Sequence, residues 1–246
     1  MDAQYAAAYP ELYQRHWWWR VREEILLRKS RGILADVPQA RILDVGCGAG
    51  LFFDQLEQFG YVEGVESDQA AIAASGRWQN RIVAGNLDSQ NQPSAPFDLI
   101  LMLDVLEHIP DTGPVVRRAS ELLSPAGRLL VTVPAFKALW TAHDDMNHHV
   151  TRYSARELRA TLTGAGLSII ETRYLFQSLV VPKLLVRATE ALAPRPARVP
   201  RIGPRRINAV LRAWFRTEHA LAGRLPFGGS VLAIAAPGTV EDSRPA

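Results

Sequence analysis

The chain has 246 residues, of which 48% are hydrophobic and 22% charged, and this composition excludes a disordered or fibrous protein. It contains no run of 18 apolar residues that would predict a transmembrane helix, and its first residues lack the pattern of a secretory signal. With Cys47 as the single cysteine, an internal disulfide is excluded and we expect a cytoplasmic protein, with peripheral membrane contact through residues 177–228 as the alternative.

The net charge of +3 is unevenly distributed along the chain. Residues 175–227 contain ten Lys or Arg against two Glu, a net charge of +8, so the rest of the chain carries −5. The basic character is therefore a property of one segment and not of the whole surface.

The N-terminal part is predicted to be helical. Over residues 11–35, apolar side chains alternate with charged ones at helical spacing, namely Leu12, Trp17, Trp18, Val21, Ile25 and Leu26. Three adjacent indoles at 17–19 cannot share one face of a helix, so we expect at least one of them to pack against another region.

Short apolar runs then alternate with amphipathic stretches. We predict a strand and a tight turn within 40–50, further strands at 61–66, 81–85, 97–103, 128–134, 167–176 and 230–236, and helices at 51–59, 69–77, 114–127 and 154–166. The last of these helices begins with Ser154, which has the N-cap pattern with Glu157 three residues later.

The alternation predicts an α/β fold with a doubly wound, mostly parallel seven-stranded sheet. Residues 177–228 interrupt it before the last strand and are predicted to form a basic helical insertion, with helical segments at 181–192 and 207–221 on either side of a Pro/Arg-rich middle. The expected organisation is an N-terminal helical segment (1–36), an α/β core (37–176), the insertion, the last core strand (229–238) and a disordered tail (239–246).

The sequence DVGCGAG at residues 44–50 is the most specific motif. Glycines at 46, 48 and 50 leave the backbone open to a ligand where the first strand ends. Glu66 ends the second strand, where a carboxylate can accept both hydroxyl groups of a ribose. A nucleoside-bearing ligand is therefore expected.

Two such ligands are compatible with the glycine turn. A dinucleotide site requires G-x-G-x-x-G, whereas this chain has G-x-G-x-G, with Leu51 where the next motif position would fall. Asp44 before the turn would repel a pyrophosphate but suits an ammonium group. The residues therefore favour S-adenosylmethionine over NAD.

Five ordered motifs, ILDVGCGAG, VEGVESD, AGNLDS, FDLILMLDVLEHIPD and LLSPAGRLLVTVP, resemble those of class I S-adenosylmethionine-dependent methyltransferases. The resemblance covers about residues 40–170 and is closest to the group that includes ubiquinone-biosynthesis enzymes. The stretches HWWWR and LWTAHDDMNHHVTRYS are similar to a subgroup with the pattern HD…GHxRRY after the fifth strand. A Rossmann-like fold and methyltransferase activity are what the resemblance implies.

The resemblance also implies roles for individual residues. Asp44, Gly46, Cys47, Gly48 and Gly50 would surround the methionine part of the cofactor, with Cys47 a small filler and not a nucleophile. The remaining cofactor residues would be Glu66 and Ser67 at the ribose, Asn86 and Leu87 at the adenine, and Leu103 and Asp104 on the sulfonium side. Asn86 stands where many relatives carry Asp.

The histidine loop, HDDMNHHVTRYS at residues 143–154, follows the fifth strand and should open onto the acceptor side of the cleft. The pairs Asp144/His148 and Asp145/His149 could hold a metal if the loop were helical, but methyl transfer needs no Lewis acid and we expect no metal site. His149, followed by His143, is the candidate acid–base residue. The alternative is that His149 and Arg152 only fix the loop, while His108 is expected to pack near the cofactor.

The sequence thus predicts a methyltransferase acting on a small-molecule or lipid-like acceptor. The alternatives are an NAD-linked enzyme, or a non-catalytic nucleotide-binding module whose basic insertion binds an anionic surface. We expect no nucleic-acid partner, because the basic residues lie outside the core and no RNA-binding motif is present. The insertion is a candidate lid that contacts an anionic membrane.

Overall fold

The computed structural model describes residues 3–87, 93, 96–193, 196–221 and 225–238. Its centre is a seven-stranded sheet in the order β3-β2-β1-β4-β5-β7-β6. The strands are β1 (Ala40–Val45), β2 (Gly60–Glu66), β3 (Ile82–Ala84), β4 (Phe97–Leu103), β5 (Leu123–Pro134), β6 (Leu167–Leu175) and β7 (Ser230–Pro237). The predicted fold class is confirmed.

The first five strands pair in parallel, and β7 runs antiparallel to both β5 and β6. The central strands are continuous apolar runs because helices cover both faces of the sheet. In β4, for example, Leu99, Ile100, Leu101 and Met102 are all fully buried. Two apolar clusters, one on each side of the sheet, result from this alternation.

The described part of the chain contains nine α-helices. They are α1 (Ala3–Arg15), α2 (Trp17–Ile33), α3 (Phe53–Leu56), α4 (Gln69–Ala73), α5 (Gly113–Leu122), α6 (Ala142–Met146), α7 (Ala155–Gly164), α8 (Val180–Leu192) and α9 (Arg205–Leu221). Among these described helices, none is long and apolar enough to cross a membrane.

The single helix predicted over 11–35 is wrong in its first part. The chain forms two helices because His16 has an extended conformation, with φ −78° and ψ 133°, and caps α2 by accepting a hydrogen bond from the amide of Trp18. The expectation that the three tryptophans separate is confirmed: Trp17 stacks on Phe215 of α9 at 4.6 Å between ring centroids, whereas Trp19 packs against Tyr5.

Three other predicted helices are too long. α3 and α4 each continue only as a 3₁₀ turn, and α5 ends at Leu122 because Leu123 is already extended and pairs with Phe97. Residues 124–127, which include Pro125 and Gly127, separate the Leu123–Phe97 pair from the next pair, Arg128 with Leu99. The register of the β4–β5 ladder shifts at these residues. The Pro/Gly turn therefore belongs to β5, which is longer than predicted.

The two predicted helices of the insertion are present as α8 and α9. Ser154 also caps α7 as predicted, with its hydroxyl accepting from the Glu157 amide and the Glu157 carboxylate accepting in return. The tail at 239–246 and the basic residues Arg195 and Arg224 lie outside the described residues.

Candidate active site

The candidate site lies at the carboxyl ends of the parallel strands. The order of strands reverses between β1 and β4, and ligands of doubly wound sheets bind at such a reversal. The turn after β1, the end of β2, residues 85–87 after β3, the loop after β4 and the histidine loop after β5 all open on this edge. The fold therefore places most of the predicted site residues at one edge of the sheet, where the parallel strands end.

Two positions of the glycine turn, Gly46 and Gly48, require glycine, each for a different reason. Gly46 has φ +71°, and a Cβ there would lie 2.7 Å from a methyl group of Val105. Gly48 has φ +56°, but a Cβ at this position would meet no atom within 4 Å. Open space above Gly48 is what the close approach of a ligand to the backbone needs.

Asp44, the last polar residue of β1, is 4% exposed at the base of this turn. Burial raises the pKa of its carboxyl group to about 7, against the opposing effect of Arg22. A carboxylate that is costly to keep ionised gains from a bound cation. The ammonium group of an amino-acid-bearing ligand fits this position, as the sequence predicts.

Asp104 is held in a strained conformation at the end of β4. Its φ is +60°, in the left-handed region that few non-glycine residues adopt. Arg22 of α2 lies 2.9 Å from its Oδ2 atom and also donates to Thr132 Oγ1, which in turn donates to Asp104 Oδ1. These contacts fix the Asp104 carboxylate at the end of β4, where the sulfonium side was predicted.

Glu66 is anchored by backbone amides at the end of β2. Its Oε2 accepts from the Gly48 amide at 2.7 Å and its Oε1 from the Asp68 amide at 2.8 Å. Ser67 is exposed beside it, with its hydroxyl 3.4 Å from the same carboxylate. The carboxylate predicted to bind a ribose is thus fixed directly beside the glycine turn.

The other predicted cofactor residues differ in exposure. The Cys47 thiol packs toward Gly64 of β2, and burial raises its pKa, so its role as a small filler suits the structure better than nucleophilic chemistry. Asn86 is exposed after β3, Leu103 is half-buried, and Leu87 is 4% exposed within a core cluster. Leu87 can therefore reach a ligand mainly through its backbone.

The histidine loop is fixed by a buried carboxylate. Asp144 is fully buried in α6 and its two oxygens accept from Nε and Nη2 of Arg152, at 2.7 and 2.9 Å. Arg152 is 1% exposed and also donates to the Ala135 carbonyl after β5. Burial alone would raise the pKa of Asp144, but hydrogen bonds from His149 and Arg152 outweigh it and hold the pKa below its usual range.

His149 completes this network. Its Nδ1 lies 2.8 Å from Asp144 Oδ1. Because an ionised carboxylate only accepts hydrogen bonds, Nδ1 donates to Asp144, and Nε2 is the ring nitrogen left to face an acceptor group. This Asp–His arrangement orients a base in the way that catalytic histidines require.

His143 is less suited to proton transfer. Burial, followed by the charge of Lys183, lowers its pKa to about 4, so its ring is a weak base at neutral pH. Its imidazole packs edge-on against Tyr5 of α1, with 5.5 Å between ring centroids. Of the two predicted acid–base residues, the geometry favours His149.

The metal-ligand pairs considered within the loop do not form. α6 ends at Met146, so Asp144/His148 and Asp145/His149 do not share a helical face, and Asp145 accepts from the Trp140 indole instead. A different group, Glu107, His108 and His149, brings potential ligand atoms within 4.8 Å of one another, and it is the one such group within the described ranges.

Glu107 is the member of this group that sequence reasoning did not single out. It is fully buried, and neither of its carboxylate oxygens has a hydrogen-bond partner among the described residues. Burial and the nearby Asp104 raise its pKa well above the usual range, which favours a protonated acid. Burial also lowers the pKa of His108, which packs edge-on against His149 at 4.9 Å.

The structure adds two further residues that the sequence analysis missed. Arg22 could have been found, because it falls at helical spacing among the apolar residues Trp19, Ile25 and Leu26, where an arginine is unusual. Lys183 gave no such sign, since its position beside the loop depends on how α8 folds back.

α8 packs along the segment before His143. Arg187 donates to the carbonyls of Lys137 and Trp140, and Glu190 accepts from the Ala142 amide at 3.0 Å. A cavity of about 330 Å³ separates the helix from the loop and is lined by Thr141, His143, Val186, Glu190, Pro196, Ala197 and Arg198. The insertion thus forms one wall of the cleft beside the histidine loop.

Residues 11–172 match the family model described as "Methyltransferase domain". Ubiquinone biosynthesis O-methyltransferase of Bradyrhizobium diazoefficiens is 33% identical over 98 residues, covering 37% of this chain and 39% of the relative. Trans-aconitate 2-methyltransferase of Deinococcus radiodurans is 30% identical over 140 residues, covering 56% of this chain and 52% of the relative. The chain spans roughly half or less of these curated relatives.

Solved structures share the fold at low sequence identity. The [4+2]-cyclase SpnF has a TM-score of 0.60 and 19% identity, with 96% of this chain and 95% of that chain covered. The N-methyltransferase NodS from Bradyrhizobium japonicum, in complex with S-adenosyl-L-homocysteine, has a TM-score of 0.56 and 17% identity over 93% and 91% of the two chains. These similarities establish the fold alone.

Proposed function

The chain belongs to the methyltransferase-domain family of S-adenosylmethionine-dependent proteins, and on this premise we propose that it transfers a methyl group to a hydroxyl oxygen of a small-molecule acceptor. The observation that carries the oxygen acceptor is the Asp144–His149 pair, at 2.8 Å, on the loop after β5. A hydroxyl group must lose its proton as it attacks, and an oriented histidine is suited to accept it.

The cofactor supplies an electrophilic methyl group on a sulfonium with a neutral leaving group. Asp44 would bind its ammonium group, Glu66 its ribose and Asn86 its adenine, and Asp104 would lie on the sulfonium side. The fit rests on the open space above Gly48 and on the raised pKa of the buried Asp44 carboxyl. Much of the rate enhancement then comes from holding acceptor and methyl group in line.

On the acceptor side, His149 Nε2 would receive the proton that the attacking hydroxyl group loses. Asp144 stabilises the resulting imidazolium through Nδ1, and Arg152 keeps Asp144 ionised and in place. The curated relatives named ubiquinone biosynthesis O-methyltransferase agree with an oxygen acceptor.

The fold does not decide the reaction, since a [4+2]-cyclase is among the structures that share it. A direct test is a screen of phenolic and alcoholic acceptors with purified protein, in which S-adenosylhomocysteine release and the methylated product are measured together. We expect an O-methylated product with at least one hydroxyl acceptor. Products methylated only on nitrogen or carbon would contradict an oxygen acceptor.

We also propose that transfer proceeds without a metal ion, because a sulfonium methyl group requires no Lewis acid. Prolonged treatment with EDTA should leave turnover unchanged. Loss of activity that Mg²⁺ or Zn²⁺ restores would instead assign a cation to Glu107, His108 and His149.

We also propose that the protein meets its acceptor at the exposed face of the insertion. α9 carries an apolar stripe at Ile207, Val210, Trp214 and Leu221, with exposures of 54%, 68%, 58% and 82%. On α8, no residue is buried, and Leu185 and Leu192 are 63% and 87% exposed. The proposed partner of these stripes is an anionic lipid surface, because exposed arginines flank them.

Arg205 and Arg206 begin α9, and Arg201 lies four residues before it. All three are exposed, and each basic residue near an anionic membrane contributes about 1 kcal/mol. Vesicles containing phosphatidylglycerol should therefore bind the protein in a salt-sensitive manner, and neutralising these three arginines together should weaken binding. Neutralising Arg31, Arg77 and Arg159, which are exposed outside the insertion, is the matched control. Equal binding to neutral and anionic vesicles, or none to either, would contradict the proposal.

A further inference from the structure

Lys183 faces the cleft from the insertion. It shares one face of α8 with Arg187 and Glu190, at spacings of four and seven residues. These two neighbours hold that face against residues 137–142, through the bonds from Arg187 to two carbonyls and from the Ala142 amide to Glu190. The face therefore turns Lys183 toward the histidine loop, although its helix is otherwise largely exposed.

The negative charges near Lys183 already have partners. Asp144 accepts from Arg152 and His149, and Asp104 is paired with Arg22 at 2.9 Å. Among the described residues, none places a carboxylate within ion-pair distance of Lys183. The ammonium group is thus a surplus positive charge in the cleft.

The surroundings show that this charge is not simply solvated. Burial, and next the charge of Arg152, lowers the pKa of Lys183 to about 8, and Lys183 itself is the second cause of the low pKa of His143. A half-buried cation without a counter-ion is unfavourable, and an anion from outside the chain would relieve it. A single surplus charge matches a monoanion, such as a carboxylate, better than a phosphate dianion.

We propose that Lys183 binds a carboxylate group of the acceptor and so determines which hydroxyl compounds enter the cleft. This inference rests on the proposed function in one respect only, namely that the molecule carrying the carboxylate is the methyl acceptor. Lys183 would act as a specificity residue, because it holds a part of the acceptor that does not react, while His149 handles the proton of the reacting hydroxyl.

A matched pair of probes tests the proposal. 3,4-Dihydroxybenzoate and 4-methylcatechol have the same two hydroxyl groups and differ in a carboxylate against a methyl group. Calorimetric titration of each into protein saturated with S-adenosylhomocysteine measures binding without requiring turnover. The wild type should bind the carboxylate probe at least about tenfold more tightly, the size expected for one favourable ion pair in a cleft.

Three variants distinguish an effect of the Lys183 charge from an effect of the substitution on the structure. Lys183→Gln should remove the preference for the carboxylate probe, with binding of 4-methylcatechol unchanged. Lys183→Arg should keep most of the preference, because it retains the charge. Lys137→Gln, which removes an ammonium group from a 70% exposed side chain on the neighbouring segment, should match the wild type.

If both probes are methylated, the carboxylate preference should appear in KM, with kcat altered much less. Binding without methylation of either probe would count against hydroxyl transfer and leave the carboxylate site standing. Equal affinity of the wild type for the two probes, or a preference that survives in Lys183→Gln, would overturn the role of Lys183.

Discussion

Two halves of the cleft can be compared. The cofactor half comprises residues 44–50, 66–67, 86–87 and 103–104, which follow the ends of four strands directly. The acceptor half comprises Glu107, His108, residues 141–153 and Lys183, which come from two loops and the insertion. The first half is built from short local motifs, and the second is assembled from segments that lie far apart in the sequence.

This difference follows from what each half has to bind. A ligand shared by a whole family can be held by backbone turns and strand ends that the core itself fixes. An acceptor that differs between proteins is met by loops and insertions, which can change without disturbing the sheet. The two halves should therefore respond to substitution in different measurements.

The largest effect is expected at His149. Replacement by Ala removes the base that the Asp144 carboxylate orients, and turnover should fall by about 10²–10⁴-fold. The affinity for S-adenosylhomocysteine should stay within twofold of the wild type. Steady-state kinetics and calorimetry measure the two quantities, with His148→Asn as a control that changes the exposed neighbouring histidine at its left-handed φ of +58°.

Unchanged turnover in a properly folded His149→Ala protein would leave only the structural role for this residue. The histidine loop would then be a support for the cleft, and another group would have to take the proton.

The next largest effect concerns stability of the acceptor half. Arg152→Met leaves Asp144 fully buried without its main cation, and this should lower the free energy of unfolding by about 3–5 kcal/mol. Arg15→Met, which breaks an exposed pair with Glu11, should cost at most about 0.5 kcal/mol. Denaturant unfolding measures both. Similar small losses in the two variants would show that the buried network does not hold the loop.

In the cofactor half, Glu66→Ala and Asp44→Ala should each weaken S-adenosylhomocysteine binding by about 1.5–3 kcal/mol, since each removes a charged hydrogen-bond acceptor. This corresponds to roughly 10- to 150-fold in Kd. Calorimetry on both variants provides the measurement, and wild-type affinity in both would contradict the assignment of this half.

The smallest effect is the pH dependence of cofactor binding. Because burial raises the pKa of Asp44 to about 7, a bound ammonium group must drive off a proton when the pH is below 7. Affinity should rise by up to about tenfold per pH unit toward pH 7 and level off above it. Titrations in buffers of different ionisation enthalpy should show proton release at pH 6, and Asp44→Asn should abolish it. Proton uptake would contradict the role of Asp44.

The sequence predicted the two halves unequally well. Strand β4, the Ser154 cap and the position of Glu66 beside the glycine turn follow from apolar runs and from residues close together in the chain. The predicted end of α5 at residue 127 was wrong, and the helix ends at Leu122, because the pairing of Leu123 with Phe97 is a long-range contact. Tertiary pairing overrides local helix propensity at such a point.

Arg22 and Lys183 show which part of the site could not be predicted from the sequence. Arg22 reaches Asp104 only because α2 packs across the carboxyl edge of β4 and β5, and Lys183 faces the loop only because α8 folds back after β6. No spacing along the chain encodes either contact. The Asp144–Arg152 pair is intermediate, since the residues lie eight positions apart and their types were noticed, but their burial was not.

A double-mutant cycle of Glu66→Ala and His149→Ala on kcat/KM most directly tests the separation of the two halves. The strand that ends at Glu66 (β2) and the strand that precedes the histidine loop (β5) are three strand spacings apart in the sheet, about 14 Å. Independent sites at such a distance should give effects that add to within about 0.5 kcal/mol, with Glu66→Ala acting on cofactor affinity and His149→Ala on turnover. A coupling energy above about 1 kcal/mol, or loss of cofactor affinity in His149→Ala, would contradict the account.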